Sequence, residues 1–244
     1  MPIAMGWSRI SPVFFDETAP YERSNVRPKD GRSYGVKMSN RPTIRDAVLY
    51  QYTPIYYRKS EKPRNIWGDF SQGNANNCST VASIKAVMRQ FGKHPTDVFK
   101  AVHETADGYH ITLRNNETTY LTKAEFKQAA AAAQFKGEDP QTVLYASFMY
   151  AVSAKRYQET GPASYSESLN ILNSGGRLEY GFRRLGVWDQ IEPIAPQQLA
   201  EGRTGVFESN GHAAIVVDGH EERWGNRGGR SPTSVIEVAY GFKA

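Results

Sequence analysis

The rhythm of apolar and polar positions in this chain changes near Asp69. Residues 1 to about 65 are crowded with Pro, Arg, Ser and Asn, and Asn25 to Pro42 follows neither a helical nor a strand period. That pattern predicts an extended or partly disordered leader, ahead of a folded domain over residues 66–244. From Asn76 to Phe91 the apolar residues Val81, Ile84, Ala86, Val87 and Met88 fall close to one helical stripe, with Gly92 as a stop. A second short helix is predicted around Pro95 to Glu104. Strict alternation over Gly108 to Thr122, centred on Asn115-Asn116, predicts a hairpin. Lys123 to Phe135, with its run of five alanines, predicts a helix, as does Thr142 to Gln158, where Leu144, Phe148 and Val152 recur every four residues. Beyond Gly205 the period shortens to that of strands, over 205–209, 211–219 and 234–242, the last two joined by a Gly- and Arg-rich loop. Helices followed by strands make the expected class α+β.

Composition narrows the possibilities. With 39% apolar and 23% charged residues, the chain can bury a core. No stretch approaches the roughly 18–20 apolar residues of a membrane span, and a clean run such as Ala213 to Val217 is strand-sized. Met1 to Phe15 lacks a basic start leading into an apolar segment, so no cleaved signal peptide is expected. The net charge of +5 raises the question of nucleic acid. The basic residues are scattered, however, and the densest groups, Arg58 to Arg64 and Arg223 to Arg230, lie in no recognition motif. The expectation is a solvated basic surface and no nucleic-acid partner. No two of the five histidines have zinc-ligand spacing, and Gly225 to Arg230 lacks a strand-to-helix phosphate pattern, so neither metal nor cofactor is expected.

The chain has one cysteine, Cys78, at the predicted start of a helix. A lone cysteine there is most simply a small core residue. Its position also suits a nucleophile, because unpaired N–H groups and the positive end of the helix dipole favour a thiolate. Such a nucleophile needs an imidazole brought beside it by the fold. Of His94, His103, His110, His212 and His220, only His212 opens an apolar strand, after Asn210-Gly211. An oxyanion donor is available six residues before the cysteine, at Gln72, which could otherwise cap the helix.

These residues resemble the papain-like cysteine peptidases, and the calpain branch in particular. Ser71-Gln-Gly-Asn-Ala-Asn-Asn-Cys78 is similar to the calpain active-site segment, where Gln-Gly precedes the cysteine. The hairpin at 107–122, Tyr150-Ala-Val-Ser-Ala-Lys-Arg-Tyr157, and Gly211-His-Ala resemble calpain elements in the same order. The separation of 134 residues between Cys78 and His212 lies within the roughly 130–150 of papain-type enzymes. Two departures stand out. Ser79 replaces the Trp that usually follows the cysteine, and Tyr240 stands where the family's Asn orients the imidazole. Asn226, preceded by Trp224-Gly225, is the best substitute, with Asp218, Tyr240 or a plain Cys-His dyad as alternatives.

The resemblance implies a papain-like two-lobe fold, with a helical lobe offering Cys78 and an antiparallel lobe offering His212. It implies hydrolysis of protein substrates by that pair. Glutamine deamidation or transglutamination would use the same thiolate and imidazole, and a binding module could keep the fold after losing its triad. The chain shows no EF-hand pattern. A stand-alone core behind a polar leader without a signal peptide resembles bacterial effectors injected into a host cell to act on host proteins. An intracellular housekeeping peptidase with a flexible or autoinhibitory N-terminal arm is the alternative setting.

Overall fold

The computed structural model describes residues 59–243. The expected leader over residues 1–65 lies almost wholly outside them. Residues 59–65 form coil beside the end of the first helix, where the Lys93 N–H donates to the Glu61 carbonyl at 2.7 Å.

The described residues form an α+β fold with seven α-helices and two antiparallel sheets. α1 spans Cys78–Phe91 and α2 spans Pro95–Val98. His94 caps α2 in a reciprocal capping box with Asp97, and Pro95 occupies its first turn, where a missing N–H costs nothing. The expected helix to Glu104 stops early. Ala101–Glu104 is instead strand β1, paired with β2 (Gly108–Thr112), which pairs in turn with β3 (Thr118–Thr122). Val102 faces the core and His103 faces solvent, a period of two that a ready-made partner strand stabilises over another helical turn. The β2–β3 turn forms at the expected Asn115-Asn116, and Asn116 takes the left-handed conformation with φ 67°.

α3 (Lys123–Ala133) opens with a Thr122–Glu125 capping box. α4 (Pro140–Thr160) runs through the centre of the core, with every residue from Leu144 to Ala154 buried. α5 (Tyr165–Leu172) and α6 (Leu178–Arg184) follow. A single 3-10 turn at Trp188–Gln190 leads to β4 (Ile191–Pro193) and α7 (Pro196–Ala200). The remaining strands are β5 (Gly205–Ser209), β6 (His212–Val217), β7 (His220–Arg223), β8 (Asn226–Arg230) and β9 (Val238–Phe242). They order as β4-β9-β5-β6-β7-β8. The expected Gly- and Arg-rich loop is therefore the β7–β8 hairpin, whose turn residues Trp224 and Gly225 both have positive φ. β8 is largely exposed and neither strand has an apolar face, which is why periodicity did not mark them.

The six-stranded sheet has two covered faces. On one, Val206, Ala213, Ile215 and Val217 join the main core with Cys78 and Val81 of α1. On the other, Phe207, Ala214, Val216 and Ala239 pack with Leu199 of α7. α1 thus lies directly on β6, and α6 closes on α1 where a Cβ at Gly181 would collide with Ser83.

Candidate active site

Cys78 is the first residue of α1 and is 6% exposed. The preceding Asn77 does not cap the helix. Its buried amide instead donates to the Ala133 carbonyl at the end of α3 (3.1 Å) and to Asn173 Oδ1 (3.0 Å). Asn173 Oδ1 also accepts from the Tyr150 hydroxyl (2.8 Å), and Asn173 Nδ2 donates to the Ala132 carbonyl. This network fixes the start of α1 against α3, α4 and α5. The first intrahelical bond of α1 is from Val81 N–H to the Asn77 carbonyl, so the N–H groups of Cys78, Ser79 and Thr80 precede the ladder. They form the positive end of the helix beside Sγ.

The loop before Cys78 is anchored at both ends. Ser71 pairs with Lys136 and Asn76 bridges to Ser174. At Gly73 a Cβ would lie 1.8 Å from the Gln134 carbonyl oxygen, so only glycine lets the loop pass the end of α3. Gln72 is half-buried, and its Nε2 donates to the Ala75 carbonyl at 2.7 Å. One of its two amide N–H bonds is used in this way.

The position of Cys78 along the sheet follows from three contacts. Phe91, the last residue of α1, packs edge-on against Phe242 at 5.3 Å, and the adjacent Gly241 pairs with Gly205, opposite Val216. The C-terminus of α1 therefore sits over the end of β6. Halfway along, Lys85 of α1 meets Glu222, the neighbour of Glu221, which pairs with Val216. Lys85 thus lies at the level of Ile215. Cys78 is seven residues before Lys85, a helical rise of about 10 Å. His212 is three residues before Ile215, also about 10 Å along the strand. α1 and β6 therefore run in the same direction, and Cys78 and His212 open them at the same end.

Their faces differ. Strand alternation puts His212 with Ala214 and Val216 on the side turned from α1, whereas Ala213 faces the cluster containing Cys78. Among the described residues no hydrogen bond joins His212 to Cys78. The half-buried imidazole rests instead on the indole of Trp224, with ring centroids 5.1 Å apart and planes inclined by 36°.

A buried ion pair holds the turn that carries this indole. Lys85 Nζ donates to the carbonyls of Ile66 (2.7 Å) and Trp67 (2.8 Å) and lies 3.8 Å from Glu222 Oε1. Glu222 Oε1 accepts in turn from the Gly225 N–H at 2.7 Å. Burial pulls the Lys85 ammonium down to about 8, opposed by the Glu222 and Asp69 carboxylates. Sequence reasoning passed over Lys85, Asn77 and Trp224. A lysine within an otherwise apolar helical stripe was the available signal for the first of them.

The residues considered for orienting the imidazole are dispersed. Asn226 is exposed on β8, and its Nδ2 turns back to the Trp224 carbonyl at 3.4 Å. Asp218 follows the other end of β6, about 20 Å along the strand from His212, in a turn with φ 51°. The Tyr240 hydroxyl bonds to Glu179 Oε2 at 3.4 Å, and its ring meets Trp188 at 5.4 Å. Burial and then the Glu179 carboxylate raise that hydroxyl above its ordinary range. Among the described residues no three His, Cys, Asp or Glu side chains group closely enough to hold a metal ion, and no helix is long and apolar enough to cross a membrane. No family model, curated protein or solved structure matches this chain.

Proposed function

We propose that the chain is a papain-like cysteine peptidase with Cys78 as nucleophile and His212 as general base. The observation that carries this reading is that Cys78 and His212 each open their own element at the same end, with α1 laid directly on β6. On this reading α1, α3–α5 and the three-stranded sheet form the helical lobe, and the six-stranded sheet forms the other. His212 takes the Sγ proton as the thiolate attacks a peptide carbonyl, and returns it to the leaving amine. It then draws a proton from the water that releases the acyl group. The oxyanion is met by the Cys78 N–H and by the second N–H of Gln72 Nε2, its first being held by Ala75. The step requires the imidazole to leave Trp224 and turn round the start of β6 toward Sγ. His212 is placed for that movement as the residue directly after the Asn210-Gly211 turn.

A second reading is favoured by the same imidazole. Its seat on Trp224, with no hydrogen bond to Cys78 among the described residues, fits a binding module that keeps the peptidase fold without its catalytic pair. Hydrolysis of fluorescein-labelled casein, with iodoacetamide labelling of Cys78 at neutral pH, separates the two. The peptidase reading expects Cys78→Ala to abolish hydrolysis and His212→Ala to lower it by about 100-fold or more. Turnover by Cys78→Ala would end it, and a folded wild-type protein whose thiol stays unlabelled would favour the binding module.

A further inference from the structure

We infer that the cleft between α4 and α6 is a binding site for a small phosphate-bearing ligand, held by Arg183 and Arg184. This inference does not depend on the chemistry of Cys78. The cleft has a volume of about 580 Å³, within the range of roughly 300–1,000 Å³ usual for small-molecule sites. Among the described residues three arginines line it, and their charges are balanced very differently. Arg156 is neutralised locally by Glu117 at 2.6 Å and Glu159 at 2.7 Å. Arg184 forms no ion pair or hydrogen bond with any described residue, and its Nε is sealed from solvent without a partner. Burial lowers its guanidinium to about 10, so it remains cationic at neutral pH. Arg183 is exposed, and its guanidinium carbon stands 4.3 Å from the Trp188 ring centroid, a stacking that leaves its N–H edges available.

A half-buried, uncompensated guanidinium is costly, and an anion brought to it offsets that cost. Two guanidinium groups without an ion-pair partner among the described residues match a phosphate dianion in charge and in the planar pairing of donors with oxygens. Lys243, whose Nζ donates to the Asp189 carbonyl at 2.7 Å, adds a cation near the rim, against the exposed carboxylate of Asp189. The cleft exceeds the needs of one phosphate group. Tyr180, 45% exposed at its edge, offers an aromatic surface for the remainder of the ligand.

The test is calorimetric titration of the full chain with inorganic phosphate, adenosine monophosphate and adenosine, in about 0.15 M sodium chloride to screen the general basic surface. Both phosphate compounds are expected to bind and adenosine not to bind. Tighter binding of the monophosphate than of inorganic phosphate would assign the extra volume to an organic moiety, and equal binding would assign the site to the phosphate alone; both outcomes support the inference. Arg184→Gln should weaken phosphate binding about tenfold or more, and Arg183→Gln by several-fold, while exposed Arg230→Gln on β8 leaves it unchanged. Should Arg184→Gln fail to fold, the surface variant Arg183→Gln decides. Wild-type protein that binds no phosphate compound at ~10 mM, adenosine binding as tightly as its monophosphate, or unaltered affinity in the folded arginine variants would overturn the inference.

Discussion

Lys85 Nζ and Glu222 Oε1 stand 3.8 Å apart, both buried, and through this pair the helix carrying Cys78 is tied to the hairpin turn carrying Trp224. Removing one partner leaves the other as an uncompensated buried charge. Glu222→Gln is therefore expected to destabilise the fold by about 3 kcal/mol, measured by urea denaturation. A loss below about 0.5 kcal/mol would show that the pair does not hold the turn.

The same lysine predicts a pH dependence. Its ammonium titrates at about 8 in the folded state, against an ordinary value of 10.5, so between these values the unfolded chain binds the extra proton. The penalty for burying the charge is fully present below about pH 8 and is relieved as pH rises towards 10.5. The stability of the wild type relative to Lys85→Met should therefore increase across that window, by up to ~3 kcal/mol. Parallel denaturation curves at pH 7 and 9.5 check the sign, and a falling difference would contradict it.

Gly73→Ala places a methyl group against the Gln134 carbonyl, a backbone atom that cannot swing aside. The expected cost is about 3 kcal/mol, together with displacement of the loop bearing Gln72. Thermal unfolding should register the first and, on the proposed peptidase reading, casein hydrolysis the second. An unchanged midpoint would mean that the loop has another route past α3.

Asn173→Ala removes the shared acceptor of Asn77 and Tyr150 and the donor to Ala132. The expected loss is about 1–3 kcal/mol. Because Asn77 precedes Cys78, the iodoacetamide labelling rate of Cys78 should change as well. A stability loss with an unaltered rate would confine the network to a structural role.

Trp224→Ala exposes the imidazole it covers. The indole is 59% exposed, so stability should change by under ~1 kcal/mol, while diethyl pyrocarbonate should modify His212 several-fold faster, as read by peptide mass mapping. Equal modification rates would show that the indole does not shield the ring.

Local signals carried much of this fold. The apolar stripe from Val81 to Met88 placed α1 to within two residues, and Gly92 ended it. Asn115-Asn116 and Asn210-Gly211 located two turns because Asn and Gly tolerate positive φ. Signals failed where a strand depended on its partner. Ala101–Glu104 reads as the tail of a helix until β2 lies beside it, and Asn226–Arg230 has too little apolar character to read as a strand alone. α5 and α6 are only eight and seven residues long, and such short helices are fixed by the core they cover.

For the candidate site, the sequence by itself determined that Cys78 begins a helix and that His212 begins a strand, since periodicity and turn chemistry act over a few residues. The tertiary structure decided that the two elements open at the same end, that strand alternation turns His212 away from α1, and that its ring rests on Trp224. It also decided that Asp218 lies at the far end of β6 and that the Tyr240 hydroxyl is taken by Glu179. Each of these is a relation between segments far apart in the chain. Such relations are set by which apolar faces bury against each other and in what register, and no local pattern encodes that.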